Sequence, residues 1–383
     1  MRNIAILGST GSIGRSVVDV IKSFPGKFKV VGLLAGSNTQ RLNEQIRLLK
    51  PKYVGIYSCK KFKDVEFDSR RLYCAEEALF RLSSLKEAQM VVFALPGFGG
   101  YKALFSALRS SKTIALANKE ILISFGDLVL REARKYSSTI IPVDSEHSAL
   151  WQCLRAWDRV EVSKIYLTCS GGPFWNWPKV KLKKVGVREV LRHPCWKMGK
   201  KISVDSATLI NKGLEAIEAH YLFKFSYEDI RILIHPQAII HGIIEMKDSC
   251  MFSYMSPADM RLPILYALSF PQRWQVDFVK LDLARIKNLT FSRPDFKKFP
   301  GLQLALDAGR RGKTFPCVFN ACDEVCVDYF LRGSLRYLDI PFVIEKVLNR
   351  HRPAPKPTIP DVVSAYNWAI DETRSLLSGL RRR

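Results

Sequence analysis

In residues 201–220, KISVDSATLINKGLEAIEAH, the side chains of Ser203, Ser206, Thr208, Asn211, Lys212 and Glu215 gather around what reads as the start of a helix. Hydroxyls, an amide, a lysine and a helix N-terminus are what a phosphate group takes. A carboxylate one turn further on can hold a cation. The same residues also suit an ordinary capped helix with a solvated face. Ile210, Leu214, Ile217 and Tyr221 recur at helical spacing and predict a buried stripe over 207–220, with Thr208, Asn211, Lys212 and Glu215 sharing the other side. A second acidic group stands in IIPVDSEHSAL, where Asp144 and Glu146 follow an apolar strand directly. Ligands bind at strand ends in open α/β sheets. If the chain stays extended there, positions i and i+2 point to one side. With Glu215 as a third acid and no obligatory His or Cys, the set suits a hard cation such as Mg²⁺ or Mn²⁺. Taken alone, Asp-x-Glu is more often a pair of separate solvated acids. YLTCSGGPF places Ser170 at another strand end, before a flexible Gly-Gly-Pro turn.

Near the start of the chain, Gly8, Gly11 and Gly14 follow the apolar run Ile4 to Leu7 and open a helical pattern with Val17, Val18, Val20 and Ile21. Glycines let the backbone turn sharply and approach a pyrophosphate, which the free N–H groups of the helix start then receive. The spacing is G-x-x-G-x-x-G, and its strand–loop–helix context favours a dinucleotide site over a plain turn. The second strand ends in Gly36-Ser37-Asn38, followed by Arg41, with no carboxylate for the ribose hydroxyls. That favours NADP over NAD, although Arg41 also suits an ordinary exposed helix position.

The elements that must position these groups alternate. Strand patterns at KVVGLLAGSN, YVGIYS, MVVFALPG, TIALANKE and TIIPVDSE, mostly with helical patterns between them, predict a parallel doubly wound sheet. Beyond about residue 143, EVSKIYLTCSGG, RILIHPQAIIHGIIEMKD and CMFSYMS predict a second sheet. The Trp-, Lys-, Pro- and Gly-rich stretch between the first two of these reads as a loop or lid. Helices are expected from near Leu302, Cys317, Ile340 and Pro360, forming a small bundle. The fold class is α/β, with an N-terminal Rossmann-like parallel-sheet domain, a central α/β catalytic domain and a C-terminal helical bundle. The expected boundaries are 1–143 for the cofactor domain and 144–270 for a catalytic and dimerisation domain with a lid at about 170–200. A linker at 271–295 and a four-helix bundle at 296–383 complete the chain.

Bulk properties narrow the classes. The chain has 383 residues, too many for one ordinary core. The net charge of +24 suits phosphorylated substrates, nucleic acid or an anionic surface. The basic residues are scattered, and zinc-finger, basic-zipper and RNA-recognition patterns are missing, so no specific nucleic-acid partner is expected. No apolar run approaches the roughly 20 residues a membrane helix needs. The chain enters a strand pattern at once, so no targeting peptide and a cytoplasmic setting are expected. Nine cysteines, an odd number spread thinly, predict reduced thiols. Cys317, Cys322 and Cys326 read as buried small residues.

The motifs GSTGSIG, ANKE, PVDSEHSA, SGGPF, HPCWKMGKKISVDSATLINKGLE, HPQAIIH and DMRLPI, in this order, resemble those of the 1-deoxy-D-xylulose 5-phosphate reductoisomerase family across nearly the whole chain. The resemblance implies a cytoplasmic, homodimeric oxidoreductase of the non-mevalonate isoprenoid pathway. It would use NADPH and one divalent cation, magnesium or manganese, to make 2-C-methyl-D-erythritol 4-phosphate. Carried over by motif, Thr10, Gly11, Ser12, Ile13, Gly36, Ser37, Asn38, Asn118, Glu120 and Gly199 would bind NADPH. Asp144, Glu146 and Glu215 would hold the metal. Lys119, Ser145, Glu146, Ser170, His193, Ser206, Asn211, Lys212 and Glu215 would contact the substrate, under a lid bearing Trp196 and Met198. Lys119, Glu146 and His193 would be the catalytic residues. His147 and His235 read as structural, and His241 as secondary. The chain departs from the pattern at Ser37, where relatives often carry Lys, and in ALPGFGG, SPADMR and the lid's FWNWPKV.

Overall fold

Apolar β-rich runs build the first sheet. The strands are β1 (Arg2–Leu7), β2 (Phe28–Ala35), β3 (Tyr53–Ile56), β4 (Leu72–Cys74), β5 (Met90–Phe93), β6 (Thr113–Leu116) and β7 (Thr139–Pro142). They stand in the order β4-β3-β2-β1-β5-β6-β7, every neighbouring pair parallel. Helices connect most of them, as the right-handed crossover of parallel strands requires. The strand interiors are buried, from Ile4 to Leu7 through Val91 and Ile114, so the runs are continuously apolar instead of alternating. The computed structural model describes residues 1–192, 196 and 198–380.

The chain divides into two units, each drawn from separated stretches. The first comprises Met1–Ile121, Val129–Ser148 and Asp259–Val279. The last of these returns to the parallel sheet late in the chain. Its helix Arg261–Ser269 packs against helix Ser12–Ser23. Arg2 donates to the carbonyls of Leu268 (2.7 Å) and Phe270 (2.9 Å), and Trp274 lies 5.3 Å from the rings of both Phe24 and Phe28.

The second unit comprises Leu122–Leu128, Ala149–Ala258 and Lys280–Arg383. Its sheet holds β8 (Val162–Cys169), β9 (Ile230–Ile234), β10 (Ile240–Met246) and β11 (Met251–Met255) in the order β11-β10-β8-β9. Here β10 runs antiparallel to both neighbours, and β8 and β9 run parallel. Four helices follow, Pro300–Arg311, Phe315–Leu331, Asp339–Arg350 and Ile359–Leu380, each starting within two residues of the place the sequence pattern predicts.

Two expectations are corrected. Cys59 and Cys74 are paired as a disulfide, with their Cα atoms 5.4 Å apart, so the thiols are not all reduced. Adjacency of β3 and β4 brings the two together, since Cys74 is in register with Ile56 just ahead of Cys59. Cys317, Cys322 and Cys326 are buried, as their small apolar character suggests. The expected helix over 207–220 is two helices, Lys200–Ala207 and Ile210–Phe223, broken at Leu209, whose φ is +57°.

Candidate functional site

The dinucleotide loop is cramped backbone. The N–H groups of Gly8 and Ser9 both donate to the Leu34 carbonyl, at 2.8 and 2.9 Å, which ties the turn to β2. Gly8 has φ +89°, and a Cβ on it would lie 2.4 Å from the Ala94 oxygen. A Cβ on Gly14 would lie 2.3 Å from the Gly8 oxygen. Only glycine fits either place. Helix Ser12–Ser23 starts at Gly11 with no side-chain cap and no acid in its first turn. Thr10, Gly11, Ser12 and Ile13 thus frame a helix end free to receive an anion, and the loop fits a pyrophosphate without further change. Gly36, Ser37 and Asn38 are exposed after β2. The Asn38 side chain caps the next helix, accepting from the Arg41 N–H at 3.0 Å.

Asn118 is buried, and its side chain is fully engaged. Its amide donates to the carbonyls of Leu95 (2.6 Å) and Gly97 (2.9 Å), and its oxygen accepts from the Ile121 N–H at 2.8 Å. It clasps the turn after β5 and caps helix Lys119–Phe125. Glu120 is half-buried in that helix's first turn.

Asp144 and Glu146 do not sit on extended chain. The last ladder bond is Val143 N–H to the Leu116 oxygen, and the Asp144 carbonyl then accepts from the Ser148 N–H at 2.8 Å. Asp144 therefore opens helix Ser145–Leu154, and Glu146 lies in its first turn. Ser145 Oγ donates to Glu146 Oε2 at 2.5 Å. Lys119 Nζ lies 2.6 Å from Asp144 Oδ2. Burial alone would raise the Asp144 carboxyl. The Lys119 ammonium, His147 and hydrogen bonds with Lys119 and Glu146 outweigh it and hold the group well below the ordinary carboxylate range. Asp144 is thus a carboxylate kept charged and matched with a cation.

In the second unit, Ser170 follows the last residue of β8 and turns into Gly171 and Gly172, at φ +84° and +68°. The Gly172 N–H donates to Ser170 Oγ at 3.3 Å. A Cβ on Gly172 would lie 2.5 Å from the Ser206 oxygen, so the Ser170 turn rests directly on the end of helix Lys200–Ala207. Ser170 and Ser206 are thereby neighbours. Ser203 and Thr208 drop out of the polar gathering, because their hydroxyls donate back to Gly199 and to Val204 and Asp205. Asn211 and Lys212 both donate to the Glu215 carboxylate, which is 1% exposed. Such a carboxylate tolerates burial only beside donors or cations. Gly199 precedes helix Lys200–Ala207 as its N-cap. Trp196 meets His241 edge to face, ring centroids 6.3 Å apart, and Met198 is half-buried. His193 lies outside the described residues.

Among residues the sequence left unremarked, Lys298 donates to the Trp175 oxygen at 2.9 Å and ties down the start of the lid stretch. Tyr337 Oη donates to the Ala207 oxygen at 2.6 Å and fixes the end of the Ser206 helix. No local spacing announces either, since each reaches across more than 100 residues.

A parallel sheet whose first turn is stripped of side chains at an uncapped helix start is the architecture of dinucleotide-binding proteins. Family models for 1-deoxy-D-xylulose 5-phosphate reductoisomerase match residues 4–126, its C-terminal domain 140–223, and the DXP reductoisomerase C-terminal domain 255–372. A reductoisomerase of this name from Pelotomaculum thermopropionicum is 46% identical over 374 residues, covering 96% of this chain and 97% of that one. One from Moorella thermoacetica is 43% identical and covers 99% of each. The Zymomonas mobilis enzyme solved with NADPH is 35% identical, with a TM-score of 0.92 over 98% of this chain and 99% of that one. A DOX-P reductoisomerase solved with NADPH, fosmidomycin and magnesium is 30% identical, with a TM-score of 0.93 over 100% of this chain and 99% of that one. The chain belongs to the 1-deoxy-D-xylulose 5-phosphate reductoisomerase family.

Proposed function

We propose that the chain converts 1-deoxy-D-xylulose 5-phosphate to 2-C-methyl-D-erythritol 4-phosphate, by a metal-assisted skeletal rearrangement followed by reduction with NADPH, in the non-mevalonate isoprenoid pathway. Its full-length kinship with reductoisomerases carries this reading. Asp144, Glu146 and Glu215 would hold one divalent cation, Mg²⁺ or Mn²⁺. The donor set fits. Three carboxylates are hard oxygen donors suited to such a cation, and Asp144 is held in its ionised form. Bound there, the cation would supply Lewis acidity toward the substrate's oxygens.

The chain's own groups do the rest. Ser170, Ser206, Asn211 and Lys212 anchor the phosphate, so binding far from the reacting carbons orients them. Lys119 Nζ and the Glu146 carboxylate, with Ser145 donating to the latter, handle protons at the substrate hydroxyls. His193 completes the substrate contacts. Thr10, Gly11, Ser12 and Ile13 take the pyrophosphate. Gly36, Ser37 and Asn38 take the adenosine end, and Asn118, Glu120 and Gly199 the remaining contacts. Trp196 and Met198 cover the substrate and exclude water. Functionally, 1–143 serves the cofactor. Residues 144–270, with the lid at about 170–200, serve chemistry and dimerisation, 271–295 link, and 296–383 form the bundle. The protein acts in the cytoplasm as a homodimer. No helix among the described residues is long and apolar enough to cross a membrane.

NADPH oxidation with deoxyxylulose phosphate, followed with and without Mn²⁺, tests this. A rate that appears only with metal is expected, and a metal-independent rate overturns the assignment.

A further inference from the structure

Behind the phosphate residues lies a buried cluster that the reaction as described leaves unused. Lys201 Nζ donates to Asp205 Oδ2 at 2.6 Å, on the same helix, and to Asp323 Oδ2 at 2.7 Å, on helix Phe315–Leu331. The two aspartates are 3% and 0% exposed. The second oxygen of each, Asp205 Oδ1 and Asp323 Oδ1, is buried with no donor among the described residues. Two ionised carboxylates and one ammonium would leave an unbalanced negative charge in the interior. Two carboxyl groups that meet can bond to each other only if one carries a proton. Burial pushes the Asp205 carboxyl well above the usual carboxylate range, and the Asp323 charge adds to it, against the pull of Lys201. Glu324, next in sequence to Asp323, accepts from Tyr366 Oη (2.5 Å) and Asn320 Nδ2 (3.1 Å). Lys212 and Glu215, on the adjoining helix Ile210–Phe223, pair with each other.

The geometry points to Asp205 as a positioning residue. It shares one proton with Asp323 in a pair bridged by Lys201, which seats the Ser206 helix on the C-terminal bundle while keeping a full negative charge off the position next to Ser206. The inference rests on Ser206 being part of that site. The arrangement is asymmetric. Asp205→Asn reproduces the neutral member beside Ser206. Asp323→Asn removes the same carboxyl contact but forces the remaining charge onto Asp205.

Steady-state kinetics of both variants and of Ser206→Ala at neutral pH decide the matter. Asp205→Asn is expected to keep the substrate KM within about twofold. Asp323→Asn is expected to raise it at least roughly tenfold with little change in the NADPH KM, the effect of one unit charge about 12 Å from an anion at an effective dielectric near 20. Equal KM values in the two aspartate variants, with Ser206→Ala raising KM, overturn the proton assignment alone. An unchanged KM in Ser206→Ala overturns the phosphate reading beneath it. If either aspartate variant fails to fold, the infrared spectrum of the wild type decides. A carboxylic-acid C=O band at neutral pH is expected, and its absence overturns the proposal.

Discussion

Replacing Gly172 by alanine strains the protein at one point and reports at another. Gly172 has φ +68°, a conformation that costs an L-residue roughly 1–2 kcal/mol. The added Cβ would stand 2.5 Å from the Ser206 carbonyl oxygen, and real Cβ contacts essentially never fall under 3.0 Å. The Ser206 end of helix Lys200–Ala207 must therefore retreat by at least 0.5 Å, the difference between those two distances. It cannot retreat freely, because Tyr337 holds the neighbouring Ala207 carbonyl at 2.6 Å. The Ser170 turn and the Ser206 hydroxyl then lose their common geometry. One hydrogen bond to a charged group is worth about 1.5–3 kcal/mol. Losing one therefore raises the substrate KM roughly 10- to 100-fold. The assay is NADPH oxidation at saturating cofactor and metal, with NADPH affinity measured separately by fluorescence titration. NADPH affinity should stay within about twofold, since the Gly8–Gly14 loop lies in the other unit and Gly199 caps the opposite end of helix Lys200–Ala207 from Ser206. A folded Gly172→Ala protein with an unchanged substrate KM would refute the link between the turn and phosphate binding.

Glu215→Gln should abolish turnover while leaving NADPH binding nearly intact, and normal turnover in that variant would remove Glu215 from the metal set. Gly14→Ala places a Cβ 2.3 Å from the Gly8 oxygen and should weaken NADPH binding at least about tenfold in a fluorescence titration, since that glycine sets the approach of helix to loop. The buried His351 hydrogen-bonds Thr314 Oγ1 at 2.7 Å, and burial together with Arg311 and Arg352 pushes its pKa from 6.5 down to about 4. The unfolded chain therefore binds the proton more readily. Stability is full above pH 6.5 and is lost as pH falls toward 4, by about 3 kcal/mol at most. Melting temperatures should show that loss in the wild type and a smaller one in His351→Gln. Parallel curves would refute it.

What the sequence disclosed was local. Gly8, Gly11 and Gly14 need only the strand before them and the helix after them to be read, and the structure crowds Gly8 and Gly14 so that no Cβ fits there. The burial of Ile210, Leu214, Ile217 and Tyr221 follows from helical periodicity within one helix. Periodicity did not reveal the break at Leu209, because an apolar residue can occupy a left-handed position without disturbing the stripe around it. Asp144 and Glu146 were legible as residue types at a strand end, but their geometry was not. Whether the chain runs on extended or turns into a helix depends on where the ladder to Leu116 stops. Lys201 and Asp323 stand 122 positions apart, and Cys59 and Cys74 face each other only because two strands pair. Contacts of that kind are set by topology, which a linear pattern of residue types does not carry.

The late return of Asp259–Val279 to the first unit bears on how the protein is made. A ribosome releases the seven strands of the parallel sheet early. The helix that covers Ser12–Ser23, and the carbonyls that receive Arg2, emerge only after the whole 149–258 segment has been synthesised. Until then the nascent sheet presents an uncovered apolar flank, with Phe24 and Phe28 awaiting Trp274. Maturation of the nucleotide half thus waits on translation of most of its companion, and a gene fragment ending near codon 150 would yield a polypeptide missing part of its own wall.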